Sequence, residues 1–256
     1  MENKLDICII ACEQDLPRLE QTLKTIPKFD NIYILENKRS ETGEESLELV
    51  HSTGTLHHWR WNWIGDAFSF AEARNKCFGL SQNEWIFWLD CDDSISNIDC
   101  DWIDNNLKGV DESCGAIMFC CTGLQHFEDI DISELRDVPG ISTSNWGYWS
   151  SPTIRLLRRK WAKWEGRVHE QVLQSIIDAG GNMMISDMVI KHRGYVLTID
   201  KYIDKLKRNI ELLKLQLDES ESYEGIYMEY LESSQASLIA LQEIKERNLN
   251  KESNPA

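Results

Sequence analysis

Residues 66–93 constrain the fold of this chain more than any other stretch, because they contain an apolar run that ends on carboxylates. The run 85–89 is rich in aromatic and aliphatic side chains and follows polar turn residues, which is typical of a strand buried on both faces. Asp90, Asp92 and Asp93 come directly after it. Acids at the carboxyl end of such a strand lie where open α/β sheets bind their ligands.

The first and second of these acids are expected to form a metal site. Side chains alternate along a strand, so Asp90 and Asp92 are predicted to point to one side while Cys91 points into the fold. Two hard carboxylate oxygens on one side suit Mg²⁺ or Mn²⁺ and, through the metal, a diphosphate. The stretch therefore predicts a site for a metal and a phosphorylated ligand.

The acidic cluster has three other interpretations. It fits a solvated turn or a helix start, since Asp is a good N-cap. It also resembles the nucleophile motif of haloacid-dehalogenase-type phosphatases, a strand followed by DxDx(S/T), with Asp90, Asp92 and Ser94 in the matching positions. A calcium loop of the EF-hand type is disfavoured, because Ile95 stands where that loop requires Gly and Asp101 where it requires Glu.

The beginning of the chain predicts a βαβ unit. Residues 5–11 and 31–35 are short apolar runs typical of strands, and leucines at helical spacing lie between them. A strand, a helix and a strand at this spacing favour a parallel sheet and a nucleotide-binding topology. We therefore expect an α/β fold.

The bulk composition narrows the class of protein. The 256 residues suffice for one large α/β domain with an appendage, and a formal net charge of -16 disfavours nucleic acid as a partner unless a local basic face overrules it. The eight cysteines show no CxxC pair and no zinc spacing, so we expect reduced, buried thiols in a cytoplasmic protein. No apolar stretch approaches the roughly 20 residues of a membrane helix, and the N-terminus lacks an export signal.

Two motifs within residues 66–93 resemble a known enzyme family. Phe70, Ala73, Arg74 and Asn75 match an FxxARN pattern, and residues 85–92 resemble, through Trp85, Leu89, Asp90 and Asp92, the WxLxLDAD pattern that follows it in family 2 glycosyltransferases. The resemblance implies a GT-A fold, in which a mixed, mostly parallel sheet is flanked by helices. It also implies that Asp90 belongs to the donor-binding set.

Arg74 is the strongest candidate for donor binding after the aspartates Asp90 and Asp92. A guanidinium can hold a diphosphate or a base edge with a planar fork that Lys cannot copy. The alternative is a surface helix arginine paired with Glu72 or Asp66.

The resemblance implies donor-binding roles for two further acids. Glu36 corresponds to the acid at the end of the second strand that meets the nucleotide base, although the turn after it differs from the family pattern VDxxSxDxT. Glu13 corresponds to the acid of the Asn-Glu pair that follows the first strand, with Cys12 replacing the Asn. A solvated loop acid explains Glu13 equally well.

A basic run leads into the next motif. Six basic residues among the thirteen residues 155–167 contrast with the acidic whole, and they predict either a charged hairpin or a basic lip for an anionic donor or acceptor. Residues 164–170 then resemble the WxGxVHE segment of the same glycosyltransferases. On that resemblance Glu170 is the general base, and His169 positions Glu170 or the acceptor. One carboxylate within hydrogen-bond reach suffices to take a proton from a hydroxyl or thiol, although a Glu in the first turn of a helix also favours the macrodipole.

The last motif supplies a histidine. Residues 190–195 resemble the IxHxGY segment, in which the histidine closes the metal or diphosphate site. The resemblance makes His192 a metal ligand beside Asp92. A single histidine after a strand is otherwise a structural residue.

The C-terminal part changes to a helical pattern. Two apolar stripes separated by a polar break predict an αα-hairpin over residues 200–247, after a catalytic domain over residues 1–199 and before a polar tail over residues 248–256. The hairpin resembles the start of a tetratricopeptide array, but a single unit is too short to stack as a solenoid. We expect it to pack on the catalytic domain or to join two subunits of a homodimer.

Taken together, the motifs imply a metal-dependent inverting glycosyltransferase of the GT-A type. The resemblance implies a nucleotide-sugar donor, most often a UDP-sugar, Mn²⁺ or Mg²⁺ as cofactor, and a hydroxyl or thiol acceptor on a glycan, a peptide or a modified DNA base. Two other functions remain open, a phosphatase that uses Asp90 and Asp92, and a non-catalytic fold that binds nucleotide sugars.

Overall fold

The computed structural model describes most of the chain, namely residues 5–12, 16–26, 31–37, 45–51, 54–61, 68–95, 103, 105–141, 148–193, 196–219 and 223–253. The described residues belong to two compact units. The first comprises Met1–Thr122, Ser150–Gly166 and Glu170–His192, and the second comprises Gly123–Trp149, Arg167–His169 and Arg193–Ala256.

Strands outnumber helices among the described regular elements. The strands are β1 (Leu5–Cys12), β2 (Asn31–Asn37), β3 (Glu45–His51), β4 (Gly54–Trp61), β5 (Trp85–Asp90), β6 (Asp93–Ser94), β7 (Cys114–Leu124), β8 (His126–Phe127), β9 (Tyr148–Arg158), β10 (Asn182–His192) and β11 (Val196–Leu197). The helices are α1 (Leu16–Thr25), α2 (Phe70–Leu80), α3 (Leu173–Asp178), α4 (Ile199–Glu219) and α5 (Glu224–Ser253), with a 3-10 turn at Ile132–Leu135.

Nine of these strands form one mixed sheet in the order β3-β4-β2-β1-β5-β9-β7-β10-β6. Its centre is parallel, because β1 pairs in parallel with β2 and β5, and β2 pairs in parallel with β4. The pairs β3–β4, β5–β9 and β6–β10 are antiparallel. The predicted α/β class, with a sheet flanked by helices and a C-terminal αα-hairpin, is therefore confirmed.

The parallel register brings the carboxyl ends of the central strands to one edge. Asp90 at the end of β5 lies opposite Ile10 of β1, and Glu36 at the end of β2 lies opposite Ala11 of β1. Acids from the two strands that flank β1 thus reach the same edge of the sheet, which is where sheets of this kind place their sites.

Strand β5 is buried on both faces, as its apolar run predicts. All five residues from Trp85 to Leu89 are buried, and the helix α2 contributes to the same core with Ala71, Ala73 and Phe78. The start of α2 is capped by Ser69, whose Oγ accepts a hydrogen bond from the backbone N–H three residues later at 3.2 Å. The cysteines whose side chains are described carry free thiols, and all but Cys120 are buried.

The second unit has a core of its own. Residues 123–149 contribute apolar side chains to it, and α4 and α5 contribute the rest; the set is Phe127, Leu135, Val138, Ile141, Ile199, Tyr202, Ile203, Leu206, Leu241 and Ile244. The carboxylate of Asp129 accepts the backbone N–H of Ile199 at 2.9 Å and so satisfies a free donor at the start of α4. The hairpin helices therefore share one core with a segment that the sequence marks only as an acidic loop.

The described helix α5 continues to Ser253, through most of the predicted polar tail. The predicted division into a domain over residues 1–199, a hairpin and a tail stays a prediction, as does a homodimer through these helices. Among the described residues, no helix is both long enough and apolar enough to cross a membrane.

Candidate functional site

The acidic edge consists of Asp90, Asp92 and Asp93 and begins where β5 ends. Asp90 is the last residue of β5, the chain turns at Cys91 and Asp92, and Asp93 starts the short strand β6. Because the strand stops at Asp90, the alternation that predicted a common side for Asp90 and Asp92 does not extend to the second acid. Thr22 of α1 holds this turn in place, since its Oγ1 lies 2.8 Å from the carbonyl oxygen of Cys91 and 2.7 Å from that of Asp93.

Asp90 lies between two arginines. Its Oδ1 is 3.2 Å from Nη2 of Arg74, and its Oδ2 is 3.2 Å from Nη2 of Arg155. Burial alone would raise the pKa of Asp90, but the positive charges of Arg155 and Arg74 outweigh burial and hold that pKa well below its usual range. Asp90 is therefore a carboxylate with both oxygens engaged.

Asp93 is a site residue that the sequence analysis did not single out. Its Oδ2 accepts the backbone N–H of Asp90 at 2.8 Å and lies 3.1 Å from Nη2 of Arg155. Its Oδ1 lies 2.9 Å from Nδ1 of His192, which the antiparallel pairing of β6 with β10 places opposite Asp93. The third acid of the cluster was the signal available in the sequence.

Asp92 and His192 lie close together, and one carboxylate oxygen of Asp92 has no hydrogen bond. Oδ1 of Asp92 is buried without a hydrogen bond, with Nδ1 of His192 at 3.3 Å, and its Oδ2 is 3.8 Å from Nη1 of Arg18. Burial raises the pKa of Asp92 to about 6. Burial would lower the pKa of His192, but its hydrogen bond to Asp93 and the nearby negative charges raise it.

The cluster offers ligands for a metal ion. Among the described residues, Asp90, Asp93 and His192 form a group whose ligand atoms all lie within 4.8 Å of one another. The donor set is hard oxygen plus imidazole, which suits a divalent cation. The buried, unbonded Oδ1 of Asp92 is the observation that fits a missing cation, whereas Asp90 already faces Arg74 and Arg155. The histidine side of the cluster therefore fits the predicted metal, and the side of Asp90 does not.

Arg74 connects the acidic edge to the WxGxVHE segment. Its Nε donates to Oε1 of Glu170 at 2.5 Å, and its guanidinium lies 3.8 Å from the centre of the Trp88 ring. Burial would lower the pKa of Arg74, but the charges of Glu170 and Asp90 raise it. Arg74 is buried, so the interpretation of a surface helix arginine is wrong.

Asn75 also connects the FxxARN motif to the WxGxVHE segment. Its Nδ2 donates to the carbonyl oxygen of Trp164 at 2.8 Å, and its Oδ1 accepts the backbone N–H of Trp164 at 2.9 Å. The adjacent residues Arg74 and Asn75 of α2 thus hold both ends of the segment that leads to Glu170.

Glu170 lies in a tight loop and not in a helix. The backbones of Glu165 and Gln171 bond each other at 2.9 and 2.8 Å and close this loop, and α3 begins only at Leu173. Glu170 therefore lies before the first turn of this helix, and a macrodipole role for Glu170 is wrong. Gly166 has a φ of 98°, which glycine adopts freely.

His169 is described within the second unit. Its backbone has a φ of 53°, in the left-handed region that non-glycine residues rarely occupy. Its ring stacks on that of Tyr230 with centroids 4.1 Å apart, and the neighbouring Arg167 forms an ion pair with Glu219 at 2.5 Å. The predicted role of His169 in positioning Glu170 or the acceptor stays a prediction.

Two predicted donor contacts have different outcomes. Glu13 lies outside the described residues, as does the altered turn that follows β2. Glu36 is described and buried at the carboxyl end of β2, where its register partners are Ala11 and Arg60. Its contact with a nucleotide base stays a prediction.

The basic run does not form one surface. Arg155 and Arg158 are buried, and Nε of Arg158 donates to the carbonyl oxygen of Cys114 at 2.7 Å. Arg159 and Lys160 are exposed at the turn that follows. A continuous basic lip is therefore wrong, and Arg155 belongs to the acidic edge.

Comparison with known proteins gives distant structural likeness only. No protein-family model matches the chain, and no curated protein matches it. The crystal structure of S. aureus TarS 1-349 is similar with a TM-score of 0.44 and 11% identity, over 91% of this chain and 70% of that chain. TarS 1-349 in complex with UDP-GlcNAc gives a TM-score of 0.43 and 10% identity, over 89% and 70% of the two chains. A longer TarS structure gives 0.43 and 10%, over 89% of this chain and 42% of that chain. At such identities and TM-scores, the similarity does not establish a family, an activity or a ligand.

Proposed function

We propose that the chain is a glycosyltransferase that moves a sugar from a nucleotide-sugar donor, a UDP-sugar in the first instance, to a hydroxyl or thiol acceptor. The observation that carries the proposal is the position of Arg74. Its buried guanidinium bonds Asp90 on the acidic edge and Glu170 in the WxGxVHE loop. An acidic donor site and a base are the two parts that sugar transfer needs, and Arg74 links candidates for both.

The donor diphosphate would bind at the acidic edge through a cation. Asp92, His192 and Oδ1 of Asp93 would hold Mn²⁺ or Mg²⁺, which supplies positive charge against the departing diphosphate. Asp90 holds the guanidinium of Arg74 in place, and Trp88 packs against it at 3.8 Å. The residues of the chain thus fix the cationic groups before the ligand arrives, which is the condition for electrostatic catalysis.

Glu170 would take the proton of the acceptor. Arg74 engages Oε1 of Glu170, which orients the carboxylate, and Oε2 would then be the oxygen that meets the acceptor. In one displacement the acceptor oxygen or sulfur bonds the anomeric carbon, the bond to the nucleotide diphosphate breaks, and the configuration inverts. A positioned general base contributes about two to four orders of magnitude to such a step.

The phosphatase alternative is less well supported. A nucleophilic Asp90 would need an oxygen free to attack phosphorus, but its two oxygens lie 3.2 Å from Arg74 and 3.2 Å from Arg155. For the acceptor, the net charge of -16 and the burial of Arg155 and Arg158 favour a glycan or a peptide over a modified DNA base.

A thermal-shift panel tests the proposal without an acceptor. UDP, GDP, CMP and dTDP, with their common sugars, are added to the full chain with and without Mn²⁺, because a ligand that binds the native state raises its melting temperature. We expect a shift with a uridine nucleotide that Mn²⁺ increases, and loss of the Mn²⁺ increment in the variant Asp92→Asn. A flat panel combined with hydrolysis of a generic phosphate ester would support the phosphatase instead, and binding without transfer to any acceptor would support a non-catalytic fold.

A further inference from the structure

Arg155 bridges two carboxylates of the acidic edge, the buried Asp93 and the partly exposed Asp90. Its Nη2 lies 3.2 Å from Oδ2 of Asp90 and 3.1 Å from Oδ2 of Asp93. These two acids belong to the group whose ligand atoms are close enough together to share a metal ion. A guanidinium nitrogen thus stands between two oxygens that a divalent ion would otherwise join.

The guanidinium of Arg155 is held on two further sides, while its Nη1 is buried without a hydrogen bond. Its centre lies 3.8 Å from the centre of the Trp88 ring, and its Nε lies 3.4 Å from Sγ of Cys121. The Trp88 ring is fixed in turn, because its Nε1 donates to the carbonyl oxygen of Ile154 at 2.7 Å. With 3% of its surface exposed, Arg155 has no room to swing away from the acids.

The charges require a cation at this position. Two carboxylates that share one nitrogen partner repel each other, and the burial of Asp93 removes water that would screen this repulsion. Arg155 supplies the compensating positive charge, since its guanidinium is always protonated and its planar fork fits carboxylate oxygens. The remaining acid, Asp92, forms ion pairs with Arg18 and His192 among the described residues, and none with Arg155. Its Oδ1 is buried without a hydrogen bond.

We propose that Arg155 is a built-in counter-cation that takes the place of a divalent ion between Asp90 and Asp93 and excludes such an ion from that pair. A divalent ion at this edge is then confined to Asp92, His192 and the outer oxygen of Asp93, and it binds weakly in the absence of a nucleotide. This inference concerns the ion alone, so it stands or fails independently of sugar transfer.

The test compares Mn²⁺ binding in two variants of neighbouring arginines. Arg155→Met removes the guanidinium and keeps an unbranched apolar chain, and Arg158→Met is the matched control, because Arg158 is a buried arginine of the same strand that bonds the carbonyl oxygens of Cys114 and Asp111. Free Mn²⁺ is followed by electron paramagnetic resonance during titration of the full-length protein without nucleotide.

We expect Arg155→Met to bind Mn²⁺ at least about tenfold more tightly than the wild type, because removal of the competing cation frees a ligand pair. The control Arg158→Met should match the wild type. Mn²⁺ should also raise the melting temperature of Arg155→Met more than that of either other protein. Equal Mn²⁺ affinities in all three proteins, or tight binding by the wild type, would overturn the proposal.

A second variant keeps the proposal testable if Arg155→Met does not fold. The double variant Arg155→Met with Asp90→Asn removes one negative charge together with the positive one. A counter-cation role predicts that the double variant is more soluble and melts at a higher temperature than Arg155→Met alone, because the local charge is balanced again. A double variant that is no more soluble or stable than the single variant would contradict the proposal.

Discussion

At the scale of single residues, the acids of the site have two kinds of partner, two arginines on one side and one histidine on the other. Arg74 and Arg155 neutralise Asp90, and His192 faces Asp92 and Asp93. The arginine side has a partner for each carboxylate oxygen of Asp90, whereas the histidine side leaves Oδ1 of Asp92 unbonded. The two sides should therefore respond differently to protons and to metal ions.

The base assignment predicts a separation of binding from transfer. Glu170→Gln keeps the shape of the side chain and removes its ability to take a proton, so we expect transfer to fall by about two to four orders of magnitude. The melting-temperature shift caused by the donor should stay near that of the wild type. Glu165→Gln is the control, since Glu165 lies in the same loop, is about half exposed and pairs with Lys163. Near-normal transfer by Glu170→Gln would place the base elsewhere.

The raised pKa of Asp92 predicts a pH dependence of stability. Because burial raises this pKa to about 6, the folded state holds a proton that the unfolded state has lost in the window between about pH 4 and pH 6. The contribution is fully present below about pH 4 and is lost as the pH rises through 6. The free energy of unfolding should therefore fall across this window by up to about 3 kcal/mol on account of Asp92.

Urea unfolding at pH 4.5 and 6.5, in buffer freed of divalent ions, measures this effect. Asp92→Asn cannot release the proton, so its free energy of unfolding should fall less over the same interval than that of the wild type. In the wild type His192, whose pKa is also raised, acts in the same direction, and because the charge of Asp92 is one cause of that raised pKa, Asp92→Asn weakens this contribution as well. Equal pH dependence in the two proteins would show that Asp92 is not held in its protonated form.

At the scale of elements, helix α2 is the part that aligns the two motifs. Asn75 makes two hydrogen bonds to the backbone of Trp164, and Arg74 on the preceding position reaches Glu170. The helix starts at a side-chain cap and packs its small residues Ala71 and Ala73 into the core. Its position is therefore fixed by packing, and the loop that carries Glu170 is fixed by the helix.

Removal of the Asn75 side chain should disturb the loop more than the donor site. Asn75→Ala leaves the backbone N–H and carbonyl of Trp164 without these partners, which costs about 1–3 kcal/mol of stability. We expect kcat to fall by about tenfold, since small misplacements of a base are costly, while the KM for the donor changes little. Glu72→Ala on the exposed face of α2 is the control. A rise in the KM for the donor with unchanged kcat would assign Asn75 to donor binding instead.

The sequence predicts the elements of this site better than their pairing. The apolar run of β5 and the acids behind it are readable locally, because burial and alternation act over a few residues. Asp93 and Arg155 were missed as partners, because their meeting depends on the return of β9 beside β5, where Phe87 lies opposite Leu156. The turn at Cys91 also ends the alternation on which the placement of Asp92 relied.

At the scale of the whole molecule, the C-terminal helices share a core with the middle of the chain. Residues 123–149 supply Phe127, Leu135 and Val138 to the core of the second unit, and Oγ of Ser237 on α5 donates to the carbonyl oxygen of Pro139 at 2.6 Å. The segment therefore packs on these helices, although it lies in the chain between β7 and β9 of the nine-stranded sheet. A single-residue change in the last helix should therefore affect more than the helix itself.

Leu241→Ala tests this dependence against Ile239→Ala on the same helix. The side chain of Leu241 is fully buried in the second core, with 0% exposed, whereas Ile239 is 58% exposed. Truncation of a buried Leu costs about 2–5 kcal/mol through lost burial and the cavity left behind, while the exposed change should stay within about 0.5 kcal/mol. Urea unfolding followed by circular dichroism gives the free energies. Proteolysis sites within residues 123–141 should become accessible in Leu241→Ala and stay protected in Ile239→Ala, because the segment loses the helix face that covers it. Unchanged protection of residues 123–141 in Leu241→Ala would mean that the segment folds without the helices.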